Sequence, residues 1–145
     1  MAKLKKWRGK EVTQEVVNRV SLVLGEFGLT AEGHAKRELQ KGHGVLTGTL
    51  RRSIHVAPFN YNWSQDQAAV TIKGKREKGS SYTLGGKLVN AEVEGTRIGL
   101  QLGSGLLYSL AVHQGHHSFT GYHYLTIGVD KAKVEMPKIL RRHKL

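Results

Sequence analysis

The sequence has no cysteine among its 145 residues and only two prolines. The lack of cysteine excludes disulfide bonds, thiol nucleophiles, iron-sulfur clusters and cysteine-based zinc sites, so stability must come from packing. No stretch approaches the roughly 18 consecutive apolar residues of a membrane span, and the basic start MAKLKKWRGK is not followed by the apolar run of a signal peptide. We therefore expect a soluble protein that is made in the cytoplasm and does not enter a membrane.

Acidic residues are also scarce, with 11 Asp and Glu against 23 Lys and Arg, which gives a formal net charge of +12. This balance predicts a polyanionic neighbour, either nucleic acid or an acidic protein surface. The two aspartates, Asp66 and Asp130, stand far apart in the sequence. Two-metal phosphoryl-transfer chemistry needs several convergent carboxylates, so this reaction class is disfavoured.

Other catalytic patterns are incomplete. Ser104 lies in a GSG sequence without the strand-to-helix turn of a hydrolase nucleophile. Residues 74–81 resemble a phosphate-binding loop, but the lysine that this loop requires directly before its serine or threonine is missing. A group of histidines offers imidazole ligands for zinc or nickel, but flanking glycines favour an exposed loop with incidental or subunit contacts. These histidines are His113, His116, His117 and His123. We predict no catalytic residue, cofactor or metal, and a protein that is not an enzyme.

The first long pattern predicts a helix. From Glu11 onward, apolar residues recur every three or four positions as far as Leu39, which predicts one amphipathic helix of about 30 residues. Three internal glycines leave a kink open, or a two-segment helix in which Thr30 caps the second part. A second helix, interrupted or kinked at Pro137, is predicted from Val129 to the basic C-terminus.

The middle of the chain predicts strands. Alternating apolar residues in LRRSIHVAPF (50–59), AAVTIKG (68–74), KLVNAEVEG (87–95) and TRIGLQLG (96–103) indicate an antiparallel sheet of about four strands. The apolar segment GLLYSLAVHQG (105–115) predicts a short buried element. The expected fold is α+β in one domain, 1–145, with a flexible hairpin insertion at 75–96 and basic termini.

Two motifs accompany this order of elements. The first, after the long helix, consists of Thr47, Gly48, Leu50, Ser53 and Ile54, and the second, before the last helix, consists of Tyr108, Ala111 and Gly115. Together they resemble the small head-to-tail joining, or neck, proteins of long-tailed bacteriophages, in which a TGxLxxSI signature follows the long helix and a tyrosine and an alanine lead to a glycine. The acidic position and the proline-phenylalanine motif of the family are absent around His113 and Phe119.

The resemblance implies a structural virion protein that forms a homo-oligomeric ring, with six copies expected, around the DNA channel. Its partners would be neighbouring connector or stopper and tail proteins, and double-stranded genomic DNA in transit. Stopper, adaptor and tail terminator all remain open as roles. The implied location is the virion neck or tail, after a stay in the host cytoplasm during assembly.

The basic clusters and the aromatic residues leave alternatives open. A DNA conduit should avoid strong phosphate contacts, so we expect the terminal clusters to face acidic protein surfaces. Lys73, Lys75, Arg76 and Lys78 are then the candidates for the channel lumen or DNA contact. Aromatics near basic residues support the alternative of a basic DNA- or RNA-binding protein, although core and interface packing is the preferred account. These aromatics are Trp7, Tyr61, Trp63, Tyr82, Tyr122 and Tyr124.

Overall fold

The computed structural model describes residues 9–41, 44–45, 48–73 and 84–145. The class is α+β, with a long N-terminal helix and a C-terminal helix, as predicted. In chain order the described elements are α1 (Gly9–Glu38), β1 (Gln40–Lys41), β2 (Gly44–Val45), α2 (Thr49–Ser53), β3 (His55–Ala57), α3 (Ser64–Lys73), β4 (Glu92–Glu94), β5 (Arg97–Gly99), β6 (Gln101–Gly103), α4 (Ser109–Gln114) and α5 (Tyr124–Arg142).

Helix α1 is continuous through its glycines. The alternative of two segments capped by Thr30 is wrong, because Thr30 lies in the helix interior and its hydroxyl donates to the Glu26 carbonyl oxygen at 2.9 Å. Gly25 is needed for space: a Cβ there would come within 2.6 Å of the Val89 carbonyl oxygen. The periodic apolar stripe therefore outweighs the helix-breaking tendency of these glycines.

Helix α5 runs antiparallel to the C-terminal half of α1. It continues through Pro137, so the predicted interruption does not occur. The two axes approach closely because small residues line the contact, and a Cβ on Gly128 would come within 2.7 Å of the Ala35 nitrogen. Ion pairs flank this contact along the two helices, Glu38 with Lys131 and Glu26 with Arg142. His34 Nε2 also lies 2.5 Å from Glu135 Oε1, and His143 Nε2 lies 2.6 Å from Glu26 Oε2.

A strap segment (residues 84–91) packs along another side of α1, also in the antiparallel direction. Its seven residue steps span roughly 23 Å when extended, and the fifteen α1 steps from Lys36 to Ser21 span roughly the same length. The contacts run in order from one end to the other: Lys36 Nζ to the Leu84 carbonyl oxygen, Glu32 Oε1 to the Gly86 N–H, Gly25 against Val89, and Ala91 N–H to the Ser21 carbonyl oxygen.

The four antiparallel strands form two separate pairs. Strand β3 pairs with β6, with Val56 opposite Leu102, and β4 pairs with β5, with Val93 opposite Ile98. Strands β1 and β2 form a parallel pair of two residues each. The expected single sheet is therefore replaced by pairs that cover α1, because each strand is only two or three residues long.

The strand predicted at 68–74 is wrong, since residues 64–73 form helix α3. The turn before α3 explains its start: Asn62 Oδ1 accepts hydrogen bonds from the Ser64 N–H at 3.2 Å and from the Ser64 hydroxyl at 2.7 Å. Likewise, the strand predicted at 50–59 is reduced to β3, because Leu50 belongs to the short helix α2. A spacing of four residues suits one face of a helix and of a strand alike, so Leu50 and Ile54 did not distinguish them.

The core lies at the C-terminal end of α1. It joins residues from α1, α2, the β6–α4 connection and the first turn of α5, and all of its central members are under 5% exposed. Leu102, Val112, Tyr122 and Leu125 pack around this centre. The central residues are Ala35, Leu39, Leu50, Ile54, Leu106 and Tyr124.

Candidate interaction surfaces

The first motif occupies the core and the turn beside it. Gly48 adopts a positive φ of 74° directly before α2, and Leu50 and Ile54 are buried against α1. Ser53 is fully buried, and its hydroxyl lies 2.7 Å from the Leu50 carbonyl oxygen and 2.6 Å from the Ser104 hydroxyl. Leu50 belongs to α2 and not to the strand that follows, and Thr47 lies outside the described residues.

The second motif frames α4. Tyr108 immediately precedes the helix, Ala111 lies within it, and Gly115 ends it with a φ of 94°. The chain then returns through a tight loop, in which the Tyr122 N–H donates to the Val112 carbonyl oxygen at 3.0 Å. A Cβ on Gly115 would collide with the Phe119 carbonyl oxygen. This position therefore requires glycine both for its conformation and for space.

The residues around the start of α4 are exposed rather than buried. Leu107 is 87% exposed, Leu110 61% and Tyr108 45%, so the prediction of a buried segment at 105–115 holds for Leu106 and fails for these three residues. We call these three residues the α4 surface. A cluster of exposed large apolar side chains is typical of an interaction surface.

A second apolar surface lies at the opposite end of α1. Residues 10–16, which we call the α1 arm, are all exposed, because α5 ends beside Glu26 and the strap ends beside Ser21. Val12 and Val16, one turn apart on the arm, are 58% and 49% exposed. The periodic stripe that buries Val23, Ala31 and Ala35 thus continues onto a part of the helix where it meets no cover within the described residues.

The histidines of the α4 loop lie in pairs. The rings of His113 and His123 are 5.5 Å apart, and those of His116 and His117 are 3.9 Å apart. Burial, with His123 as a neighbouring positive group, lowers the pKa of His113 below its usual 6.5. Among the described residues, no group of three or more His, Asp and Glu converges as metal ligands would.

A buried polar network lies between β3 and α3, and the sequence patterns did not predict it. Asp66 is fully buried and accepts hydrogen bonds from His55 Nε2 at 3.0 Å, from the Tyr61 hydroxyl at 2.6 Å and from the Gly105 N–H at 2.8 Å. His55 Nδ1 lies 3.2 Å from the Val56 carbonyl oxygen, so both ring nitrogens are engaged. The pair therefore ties α3 to the β3–β6 sheet instead of presenting a free base.

The aromatic residues of this region support packing rather than base stacking. The Tyr61 and Trp63 rings both lie about 5 Å from the His55 ring, and Trp63 Nε1 donates to Gln101 Oε1 at 2.8 Å. Tyr124 is buried in the core, where burial raises the pKa of its hydroxyl to about 12. Trp7 and Tyr82 lie outside the described residues.

The basic clusters lie only partly within the described residues. Lys73 is the last residue of α3 and not part of a hairpin strand, and Lys75, Arg76 and Lys78 lie outside the described residues. Near the C-terminus, Lys131, Lys133 and Arg142 pair with acidic side chains of the same chain. Lys138, Arg141 and Lys144 are exposed and form no ion pair within the described part of the chain.

Comparisons of the chain with protein-family models, curated proteins and solved structures return no match. In the described part of the chain, no helix has both the length and the apolar character that crossing a bilayer requires.

Proposed function

We propose that this protein is a structural virion component that forms a ring of identical subunits at the head-to-tail junction of a bacteriophage, around the DNA channel. The role would be that of a neck, adaptor or tail-completion protein. The proposal draws on the resemblance of the element order and of the two motifs to the neck family. Their apolar residues Leu50 and Ile54 belong to the core, as a motif that anchors the fold would require.

The observation that carries the proposal is the presence of two exposed apolar surfaces at opposite ends of α1. Val16 and Ala35 are nineteen residues apart in one helix, which corresponds to about 28 Å. Ala35 packs in the core beside Leu106, the residue next to the α4 surface. Two different surfaces that lie this far apart suit head-to-tail association, which closes into a ring when the rotation between copies allows it.

The charge of the chain agrees with a location beside DNA and acidic proteins. A net charge of +12 on 145 residues favours polyanionic neighbours. A conduit must also let DNA slide, and each phosphate that a lysine or arginine neutralises adds counterion release and retention. Ion pairs inside the chain neutralise part of the C-terminal basic cluster, which leaves fewer positive charges that could hold the DNA in place.

Light scattering coupled to size-exclusion chromatography, with negative-stain microscopy, tests the proposal. We expect ring-shaped particles, at about 97 kDa for six copies of the 16.1 kDa chain. Quantitative mass spectrometry of purified phage particles should find the protein at the same copy number. A chain that is strictly monomeric at all concentrations and absent from particles would overturn the proposal.

The alternative of a basic nucleic-acid-binding protein is favoured by the net charge and by the aromatic residues near basic ones, but by no recognition motif. Binding of duplex DNA at physiological salt, with an affinity that falls steeply as salt rises, would support this alternative. A ring subunit should instead bind duplex weakly and assemble under the same conditions. Titrating labelled duplex at several salt concentrations against the light-scattering mass separates the two functions.

A further inference from the structure

The α4 surface lies in the longest uncharged part of the chain. Residues 98–129 contain no Lys, Arg, Asp or Glu over 32 positions, although the whole chain has 34 such residues. The exposed residues Leu107, Tyr108 and Leu110 belong to this stretch. Two copies of a chain with a net charge of +12 repel each other, so they meet at least cost where basic side chains of one copy face acidic side chains of the next.

We propose that the α1 arm of one copy docks on the α4 surface of the next copy, with Val12 and Val16 against Leu107 and Leu110. This inference rests on the proposed ring and names the contact that would build it. Each copy contributes its arm to one neighbour and its α4 surface to the other. The contact is therefore heterologous, and its repetition generates the ring.

The formal charges of the two surfaces are complementary. The arm carries Lys10, Glu11 and Glu15, a net charge of −1 within a strongly basic chain. Arg52 lies close enough to Tyr108 to oppose the burial effect that raises the pKa of the tyrosine hydroxyl, and Arg51 is exposed on the same short helix. Basic side chains thus border the apolar α4 surface, and acidic ones border the valines of the arm.

The existing contact of Glu15 does not prevent this docking. Its carboxylate lies 2.5 Å from Arg19 one helical turn away, and both side chains are largely exposed. An exposed pair of this kind contributes between roughly 0 and 1 kcal/mol, so an arginine from a neighbour can replace Arg19 without a large loss. The arm is already helical before it docks, which limits the loss of conformational entropy on association.

Disulfide cross-linking tests the contact, because the natural chain has no cysteine to interfere. The variant V16C/L110C is assembled, oxidised and separated by denaturing gel electrophoresis without reductant. We expect a ladder of covalent multimers, since every copy has both halves of the contact. The single variants V16C and L110C should remain monomeric on the gel, because neither half would meet its own equivalent.

The matched control is V16C/V134C. Val134 is an exposed valine on α5, 79% exposed, and belongs to neither surface. This control should give no ladder while light scattering still reports the assembled mass. Dimers from L110C alone, or an equal ladder from the control, would overturn the arm-to-α4 contact.

The proposed ring and the proposed contact fail in different ways. If V16C/L110C assembles by light scattering but gives no ladder, the contact is wrong and the ring stands. If the unmodified protein is monomeric at every concentration, both are wrong. If a ladder forms with V16C/L110C and with neither single variant, the contact is supported.

Discussion

At the scale of single residues, the buried Asp66 holds helix α3 against the β3–β6 sheet through its hydrogen bonds. Three donors surround its carboxylate: His55, Tyr61 and the Gly105 N–H. We expect Asp66→Asn to lower the free energy of unfolding by about 3 kcal/mol, because one amide group cannot accept from all three donors and leaves a buried group unpaired. Urea denaturation of both proteins measures the difference.

The second aspartate provides the control for this variant. Asp130 is 61% exposed and pairs with Lys133 within the same helix. Asp130→Asn should change the free energy of unfolding by less than about 0.5 kcal/mol. Equal effects of the two substitutions would show that the Asp66 network does not stabilise the fold.

His113 predicts a dependence of stability on pH. Its pKa in the folded chain is lowered below 6.5, mainly by burial and then by His123, so the unfolded chain binds a proton more tightly than the folded one. The contribution of His113 to the free energy of unfolding is therefore fully present above pH 6.5. It is lost as the pH falls from 6.5 toward the pKa of this histidine in the folded chain. As the pH falls below 6.5, we expect the free energy of unfolding to decrease less in the His113→Gln variant than in the natural protein.

Denaturant titrations at several pH values below 7 test the role of His113. The exposed neighbour Gln114 provides a control that carries no titrating group, and Gln114→Ala should keep the natural pH dependence. Parallel curves for His113→Gln and the natural protein would contradict the prediction. A direct titration of the His113 ring by nuclear magnetic resonance adds an independent measurement.

At the scale of elements, the packing of the strap against α1 depends on Gly25. A Cβ at this position would meet the Val89 carbonyl oxygen at 2.6 Å, whereas a Cβ at Gly33 would have the Arg37 guanidinium at 3.9 Å as its nearest contact. We expect Gly25→Ala to destabilise the protein by about 2 kcal/mol through overpacking. Gly33→Ala should stabilise it by about 1 kcal/mol, because alanine favours the helix.

The opposite signs of these two substitutions are the measurable result. Both replace a glycine of α1 with alanine, so helix propensity changes equally and only the surroundings differ. Thermal and urea denaturation should rank Gly33→Ala above the natural protein and Gly25→Ala below it. Stabilisation by both variants would mean that the packing of the strap against α1 does not contribute to the free energy of unfolding.

The elements also show where local patterns suffice and where they fail. Helices α1 and α5 were predictable because their apolar residues recur with helical spacing over many turns. Helix α3 was not, since the β-branched residues Val70, Thr71 and Ile72 favour a strand locally. The Asn62 turn and the buried Asp66 hold this segment as a helix instead, and Asp66 depends on partners as distant in sequence as Gly105.

At the scale of the whole molecule, the proposed ring predicts a division of the basic residues. In intact particles, photo-cross-linkers at Lys75 and Lys78 should form adducts with DNA, whereas those at Lys138 and Lys144 should form adducts with protein. The reason is that DNA must slide, and strong phosphate contacts at every basic cluster would retain it. Mass spectrometry of the adducts distinguishes the two targets.

The C-terminal lysines provide the internal control for this experiment. Lys138 and Lys144 are exposed, so cross-linkers at these positions can reach a neighbouring molecule. DNA adducts at Lys138 and Lys144, or protein adducts alone at Lys75 and Lys78, would contradict the division. DNA adducts at Lys138 and Lys144 would mean that the C-terminal end of α5 lines the channel.

Composition and periodicity were enough to establish the α+β class, the two long helices and the excess of positive charge. These properties depend on residue type and on spacing within a single element. The strand pairing, the Asp66 network and the exposure of Leu107 and Leu110 depend on which distant segments meet. The sequence does not show whether an apolar residue is buried in the core or exposed on the surface. Only the folded chain shows that Leu106 is buried and Leu107 is exposed.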